Sequence, residues 1–292
     1  MIELKGCGTA LVTPFVDGEV DYESYASLID RQVDAGTDFL VPLATTGETP
    51  ALSAEEKVAL LRLTHGHAAG KPLLVGCGSN SVPGTLANME LLAPYGVDAW
   101  LVVVPFYNKP TQEGQYQYFK AVAASTDKPV VIYNVPGRTG ANMSASTCIR
   151  LAKDVPNIIG IKEASGKMEQ VIEILNGAPD GFSVLSGDDD MTLGMMRHGA
   201  AGVVSVASNI APAEVSGMTR AALEGRFDDA EALDARLQPL FKNCFVESNP
   251  IPVKAGLALM GLMNAEVRLP LSEATEGTVS VMRETLSGLG IL

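Results

Sequence analysis

Eight short apolar runs punctuate the chain: GTALVTP from Gly8, FLVPLAT from Phe39, PLLVGCG from Pro72, AWLVVVP from Ala99, VVIYNVP from Val130, IIGIKEA from Ile158, FSVLSG from Phe182 and AGVVSVAS from Ala201. Most are continuously apolar instead of alternating, as expected for parallel strands covered on both faces. Amphipathic segments separate them. DYESYASLIDRQVDAG spaces Tyr25, Leu28, Ile29 and Val33 at helical intervals. SAEEKVALLRLTHGHAAG opens with Ser53 and Glu56 at capping-box spacing and stops at Gly70. EGQYQYFKAVAAST, SASTCIRLAKDVP, KMEQVIEILNGAP and DMTLGMMRHGA behave alike. The runs start roughly 20 to 35 residues apart, the period of a strand–helix unit. Eight such units predict an α/β fold, a closed (β/α)8 TIM barrel over residues 1–209. The rival, a doubly wound open sheet, calls for a glycine-rich turn after the first strand, where this chain has TPFVDGEV. Residues 210–292 read as helical throughout and predict a C-terminal helical domain, with Asn249–Pro252 breaking its second helix from its third. That appendix is expected to pack on the barrel and to offer a subunit contact.

The composition, 47% hydrophobic over 292 residues, suits one large core. The net charge of −13 argues against nucleic-acid and anionic-membrane partners, so an anionic substrate needs a local positive site. Cys7, Cys77, Cys148 and Cys244 are scattered, without a CxxC pair or histidines at zinc spacing, as expected for reduced thiols in a cytoplasmic protein. MIELKGCGTALVTPF carries charges at Glu3 and Lys5 and does not read as a signal peptide, and no uncharged apolar run reaches membrane-spanning length.

Barrels of this kind carry their chemistry at the C-terminal ends of the strands. The second run ends in ATTGET, the fourth in VPFYNKP with Tyr107, the fifth in IYNVPGRTG with Tyr133 and Arg138, the sixth in IKEASG with Lys162, and the seventh in LSGDDD. A lysine in an apolar wall favours its neutral form, because burial disfavours the charge, and a neutral amine attacks carbonyls to form a Schiff base. Tyrosine and threonine hydroxyls can relay the protons this step moves. Arg138 can hold a carboxylate through two parallel bonds, and the backbone N–H groups of Thr45–Gly47 suit a second one. A keto acid plus another acid follows as the substrate class. The plainer readings are that Lys162 reaches solvent or pairs with an acid such as Glu163, that Tyr133 is a rim residue, that Arg138 is a surface arginine and that Thr45–Gly47 is a β-turn. Convergence of these features on one rim favours chemistry. Lys254, outside the eight units, reads as structural or interfacial. Asp188, Asp189 and Asp190 suit the dipole of a helix start better than a metal, and His65 and His67 suit a helix end. No metal site is expected.

TTGE at Thr45, PFYNKPTQEG at Pro105, YNVPGRTG at Tyr133, GIKEASG at Gly160, SGDD at Ser186 and VESNPIPVK at Val246 together give the sequence a familiar cast. It resembles the dihydrodipicolinate synthases, within the pyruvate-dependent class I aldolases that include N-acetylneuraminate lyase. The likeness runs from GTALVTPF to LRLPL near Leu269. It implies a barrel with a helical C-terminal domain, assembled as a homotetramer of two tight dimers. It implies that Lys162 forms the imine with pyruvate and Tyr133 moves protons there. Thr45 and Tyr107 would complete the relay, with Tyr107 entering the neighbouring subunit's site. Thr46 would hold the pyruvate carboxylate and Arg138 that of L-aspartate 4-semialdehyde, while the backbone at Gly187 and Val204 would line the pocket. The implied reaction yields 4-hydroxy-tetrahydrodipicolinate, toward diaminopimelate and lysine, with no cofactor beyond the lysine–pyruvate imine.

Arg138 and Tyr107 favour this reaction over a sister lyase acting on sialate or 2-keto-3-deoxygluconate. A catalytically silent pyruvate-binding protein is a third reading, disfavoured because every relay position is filled. The chain departs from the family pattern at Ala44, where glycine is usual, and at Phe106, where tyrosine is common. Gly84, Phe106, Ala54 and Lys57 align with positions that bind inhibitory lysine in some members. Their replacement removes acceptors and adds a like charge, so lysine feedback is expected to be weak or absent, although Asn80 is retained.

Overall fold

The structure, a computed structural model, describes residues 2–292. The eight apolar runs form eight strands: β1 (Gly6–Ala10), β2 (Phe39–Val41), β3 (Leu74–Gly76), β4 (Ala99–Val103), β5 (Val130–Asn134), β6 (Ile158–Glu163), β7 (Ser183–Ser186) and β8 (Gly202–Ser205). They pair in parallel in the order β2-β1-β8-β7-β6-β5-β4-β3. A parallel bridge from Leu40 to Leu73 joins β2 to β3 and closes the ring. The TIM barrel expected from the spacing is therefore present. A two-stranded ribbon, Phe15–Val16 with Glu19–Val20, follows β1.

The outer ring consists of α1 (Tyr22–Asp34), α2 (Ala54–His67), α3 (Val82–Leu92), α4 (Gln112–Ala123), α5 (Ala145–Asp154), α6 (Met168–Gly177), α7 (Thr192–Arg197) and α8 (Pro212–Leu223). Short polar side chains start many of them. Asp21, Ser53, Ser81, Thr111 and Ser144 each accept a backbone N–H from the first turn, and Ser53 with Glu56 completes the expected capping box. Helix α8 packs on β1 and touches α1 and α7, which gives it the eighth helical place around the barrel. The boundary expected between 209 and 210 assigns it to the appendix instead. Beyond it lie α9 (Phe227–Asn243), α10 (Ile251–Leu259) and α11 (Glu276–Gly288), with α9 against α8 and α10 against α11.

Strand alternation sorts the apolar residues into two layers. Ala10, Phe39, Val41, Leu74, Leu101, Val131, Leu185 and Val204 fill the barrel interior. Trp100, Ile132, Ile161, Val203 and Phe119 lie in the layer between strands and helices. Each fully buried side chain of this size contributes roughly 1.5–3 kcal/mol. All four cysteines are free and buried. Among the described residues no helix is long and apolar enough to cross a membrane.

Candidate active site

The sixth strand explains how one sequence run holds two charges of opposite fate. Side chains alternate along a strand, so Lys162 faces the barrel interior and Glu163 faces the helices. Lys162 is 4% exposed. Its neighbour across the ladder is Tyr133, and Lys162 Nζ lies 4.1 Å from the centre of the Tyr133 ring. Glu163 is occupied on the other face, where it accepts from Asn134 Nδ2 at 3.0 Å, Ser165 N at 2.7 Å and Gln170 Nε2 at 3.1 Å. Lys162 makes no ion pair among the described residues. It neither reaches freely into solvent nor pairs with Glu163. Its amine stands in an apolar interior, against an aromatic face.

Gly187, at the end of β7, gives the lysine room. A Cβ there would sit 2.6 Å from Ala164 Cβ and 3.1 Å from Lys162 Cε. Val204 is fully buried in the interior layer with Tyr133 and Leu185. The β7 and β8 ends are tied together by Asp189, a helix-start acid by its place in the sequence. Its Oδ2 accepts from Val206 N and Ala207 N, both at 3.0 Å, and its Oδ1 is buried with no partner among the described residues. Burial raises the Asp189 carboxyl above its ordinary range, against the hydrogen bonds from Ser205 and the two amides. Asp188, beside it, is raised to about 6 by burial and by Asp190, with the Lys162 charge opposing. No group of three or more acids, histidines and cysteines suited to a metal occurs among the described residues.

Thr45–Gly47 forms a single 3-10 turn at the end of β2. Gly47 N donates to Ala44 O and Glu48 N to Thr45 O, both inside the turn. The amides of Thr45 and Thr46 have no protein partner among the described residues, so two of the three expected donors are available to an anion. Thr46 is buried, and its Oγ1 receives Asn249 Nδ2 at 3.0 Å. Arg138 follows β5 on one helical turn, Pro136–Thr139, and its guanidinium is exposed apart from a 3.3 Å bond to the Asn249 carbonyl. Asn249 thus touches both anion-binding candidates. Asn249 stands in the VESNPIPVK run, directly before Pro250 in the loop between α9 and α10, and no local pattern signals where its side chain points. Tyr107 does not join this cluster within the chain. It is 88% exposed, with a left-handed φ of 71°, beside the half-exposed Phe106. Surface clefts of about 660 and 550 Å3 lie elsewhere, between α1 and α8 and at the opposite barrel end near Ile2 and Pro129.

The sequence profile of the dihydrodipicolinate synthetase family matches residues 3–288. A 4-hydroxy-tetrahydrodipicolinate synthase of Phocaeicola vulgatus is 49% identical over 293 residues, covering 99% of this chain and 98% of that protein. The protein of the same name from Oleidesulfovibrio alaskensis is 43% identical, with 100% of both chains covered. The crystal structure of dihydrodipicolinate synthase from Thermotoga maritima superposes with a TM-score of 0.98 at 42% identity, covering 100% of each chain. With a profile spanning nearly the whole sequence and relatives this similar from end to end, the chain belongs to the dihydrodipicolinate synthetase family.

Proposed function

We propose that the protein is a lyase that condenses pyruvate with L-aspartate 4-semialdehyde to 4-hydroxy-tetrahydrodipicolinate, on the route to diaminopimelate and lysine. The observation that carries this reading is the Lys162 amine, buried, free of any acid partner and lying on the face of Tyr133 inside an apolar barrel mouth. Lys162 Nζ attacks the pyruvate ketone, and the carbonyl oxygen leaves as water, giving an imine. The imine is an electron sink, so the pyruvate methyl loses a proton and becomes an enamine. The enamine carbon attacks the aldehyde. The semialdehyde's own amine then displaces Lys162 and closes the ring. Tyr133, Thr45 and Tyr107 move the protons, with Tyr107 supplied by a neighbouring subunit of a tight dimer within a tetramer. The free Thr45 and Thr46 amides and the Thr46 hydroxyl suit the pyruvate carboxylate. Arg138 suits the semialdehyde carboxylate, and the backbone at Gly187 and Val204 lines the pocket. In this scheme the imine is the only covalent carrier, and no metal or organic cofactor takes part. The protein acts in the cytoplasm, its barrel holding the site and its helical appendix closing one side.

Borohydride treatment with pyruvate, followed by mass mapping, tests the proposal. A reduced three-carbon adduct is expected on the peptide that carries Lys162, and Lys162→Ala abolishes turnover. Arg138→Ala is expected to impair use of the semialdehyde while leaving the pyruvate adduct intact. Turnover without an adduct at Lys162 overturns the scheme, and faster cleavage of sialate or 2-keto-3-deoxygluconate supports a sister lyase instead. Weak or absent lysine feedback belongs to the same reading: a side chain at Gly84 would place its Cβ 2.6 Å from Ser79 Oγ. Micromolar lysine added to the condensation assay is expected to leave the rate unchanged.

A further inference from the structure

Glu48 and Lys254 form a buried ion pair that the reaction scheme does not use. Lys254, on α10, is fully enclosed; its Nζ donates to Glu48 Oε1 at 2.7 Å and to the Thr13 carbonyl at 2.9 Å, and lies 4.3 Å from the centre of the Phe15 ring. Glu48 Oε2 accepts from Arg268 N at 2.9 Å. Every strong hydrogen-bonding atom of the two charges is thereby engaged. A buried pair of this kind adds little net stability, because the loss of hydration offsets most of the attraction. What it does fix is geometry.

The geometry in question is that of the Thr45–Gly47 turn. Thr13 Oγ1 donates to Gly47 O at 2.8 Å, so Lys254, Glu48, Gly47 and Thr13 close a ring of contacts beneath the turn. Glu48 holds a left-handed φ of 51°, which a non-glycine residue keeps only where surrounding contacts impose it. The same C-terminal segment grips the turn again through Asn249 Nδ2 on Thr46 Oγ1. Lys254 also cancels a negative charge that would stand two residues from a carboxylate-binding amide. We infer that the Glu48–Lys254 pair is a positioning device of the active site: it holds the Thr45 and Thr46 donors in the place the keto acid's carboxylate requires. This inference rests on the function proposed above. It makes the appendix part of the pyruvate subsite, while the semialdehyde meets Arg138 on a different strand end.

Lys254→Met, which keeps the length of the stem and leaves Glu48 unpaired, separates this role from a merely structural one. In the full-length enzyme the KM for pyruvate is expected to rise roughly 10- to 100-fold, the usual effect of displacing a positioning group by about an ångström. The KM for the semialdehyde stays near the parent's, and borohydride trapping of pyruvate slows in step. Glu48→Gln combined with Lys254→Met removes the uncompensated charge and is expected to recover part of the pyruvate affinity. Where Lys254→Met does not fold, Glu48→Gln alone carries the same test, with the same split in a milder form. The inference is overturned if the folded variant traps pyruvate as fast as the parent, if both KM values rise by the same factor, or if the double variant is no better than the single one. A parent enzyme that forms no pyruvate adduct at all overturns the reaction scheme and this inference with it. A parent that traps pyruvate beside a variant that traps it equally well overturns the inference alone.

Discussion

Two lysines lie buried in this molecule, and their surroundings give them different work. Lys254 has a carboxylate, a carbonyl and an aromatic face, whereas Lys162 has the Tyr133 face and no carboxylate in ion-pair contact, although Asp188 and Asp189 feel its charge. Of the two roles expected for Lys254, structural or interfacial, its contacts within the chain fit the first; its grip on Glu48, 206 positions earlier, has no local sign in the sequence. Asp188 allows a test at the same scale. Its pKa is raised from 3.8 to about 6, mainly by burial. A carboxyl whose folded pKa exceeds its unfolded value holds its proton more tightly in the folded state, so stability falls as pH rises between those two values. The full shift corresponds to roughly 3 kcal/mol, and partial exposure brings this down to about 1–2 kcal/mol. Asp188→Asn is therefore expected to be more stable than the parent by about that amount near neutral pH, with the gain vanishing below pH 3.8, as followed by thermal unfolding.

Among the elements, the strands were the most legible. Continuous apolar runs at a regular spacing define a parallel barrel because both faces of each strand are covered, and all eight runs became strands. Helix α1, with a clear apolar stripe and the Asp21 cap, and α2, with its complete capping box, were equally plain. Helix α3 was not. Its sequence VPGTLANMELL opens with proline and glycine and is apolar with little periodicity, so only the Ser81 cap marks its start. Helix α8 reads as a helix from its own sequence, but its place on β1 depends on barrel closure, which no local pattern encodes. For this reason we propose drawing the domain boundary after Leu223. The site divides in the same way. Lys162, Tyr133 and Arg138 sit on or just after strands and can be read from the run that carries them. Asn249 and Glu48 act through contacts between distant segments. Asp189 also gains its meaning only when β7 and β8 lie side by side.

At the level of the whole molecule, Tyr107 is the residue that a single chain leaves unexplained, since it points into solvent away from the proposed relay. If it serves a neighbour's site, two inactive variants complement each other. Subunits carrying Lys162→Ala, exchanged with subunits carrying Tyr107→Phe, are expected to regain about a quarter of parental activity, because half the dimers are mixed and one site in each is intact. No recovery after exchange would mean that Tyr107 acts within its own chain or not at all. The buried thiols have a practical consequence. Burial pushes all four upward, Cys7 to about 12, so none presents a reactive thiolate near neutral pH. The parent protein is expected to resist maleimide reagents, and Glu284→Cys on the exposed side of α11 to take up a single fluorophore. The fold thus arrives already suited to site-specific labelling, and subunit exchange could be watched by energy transfer between dyes without removing a single native cysteine.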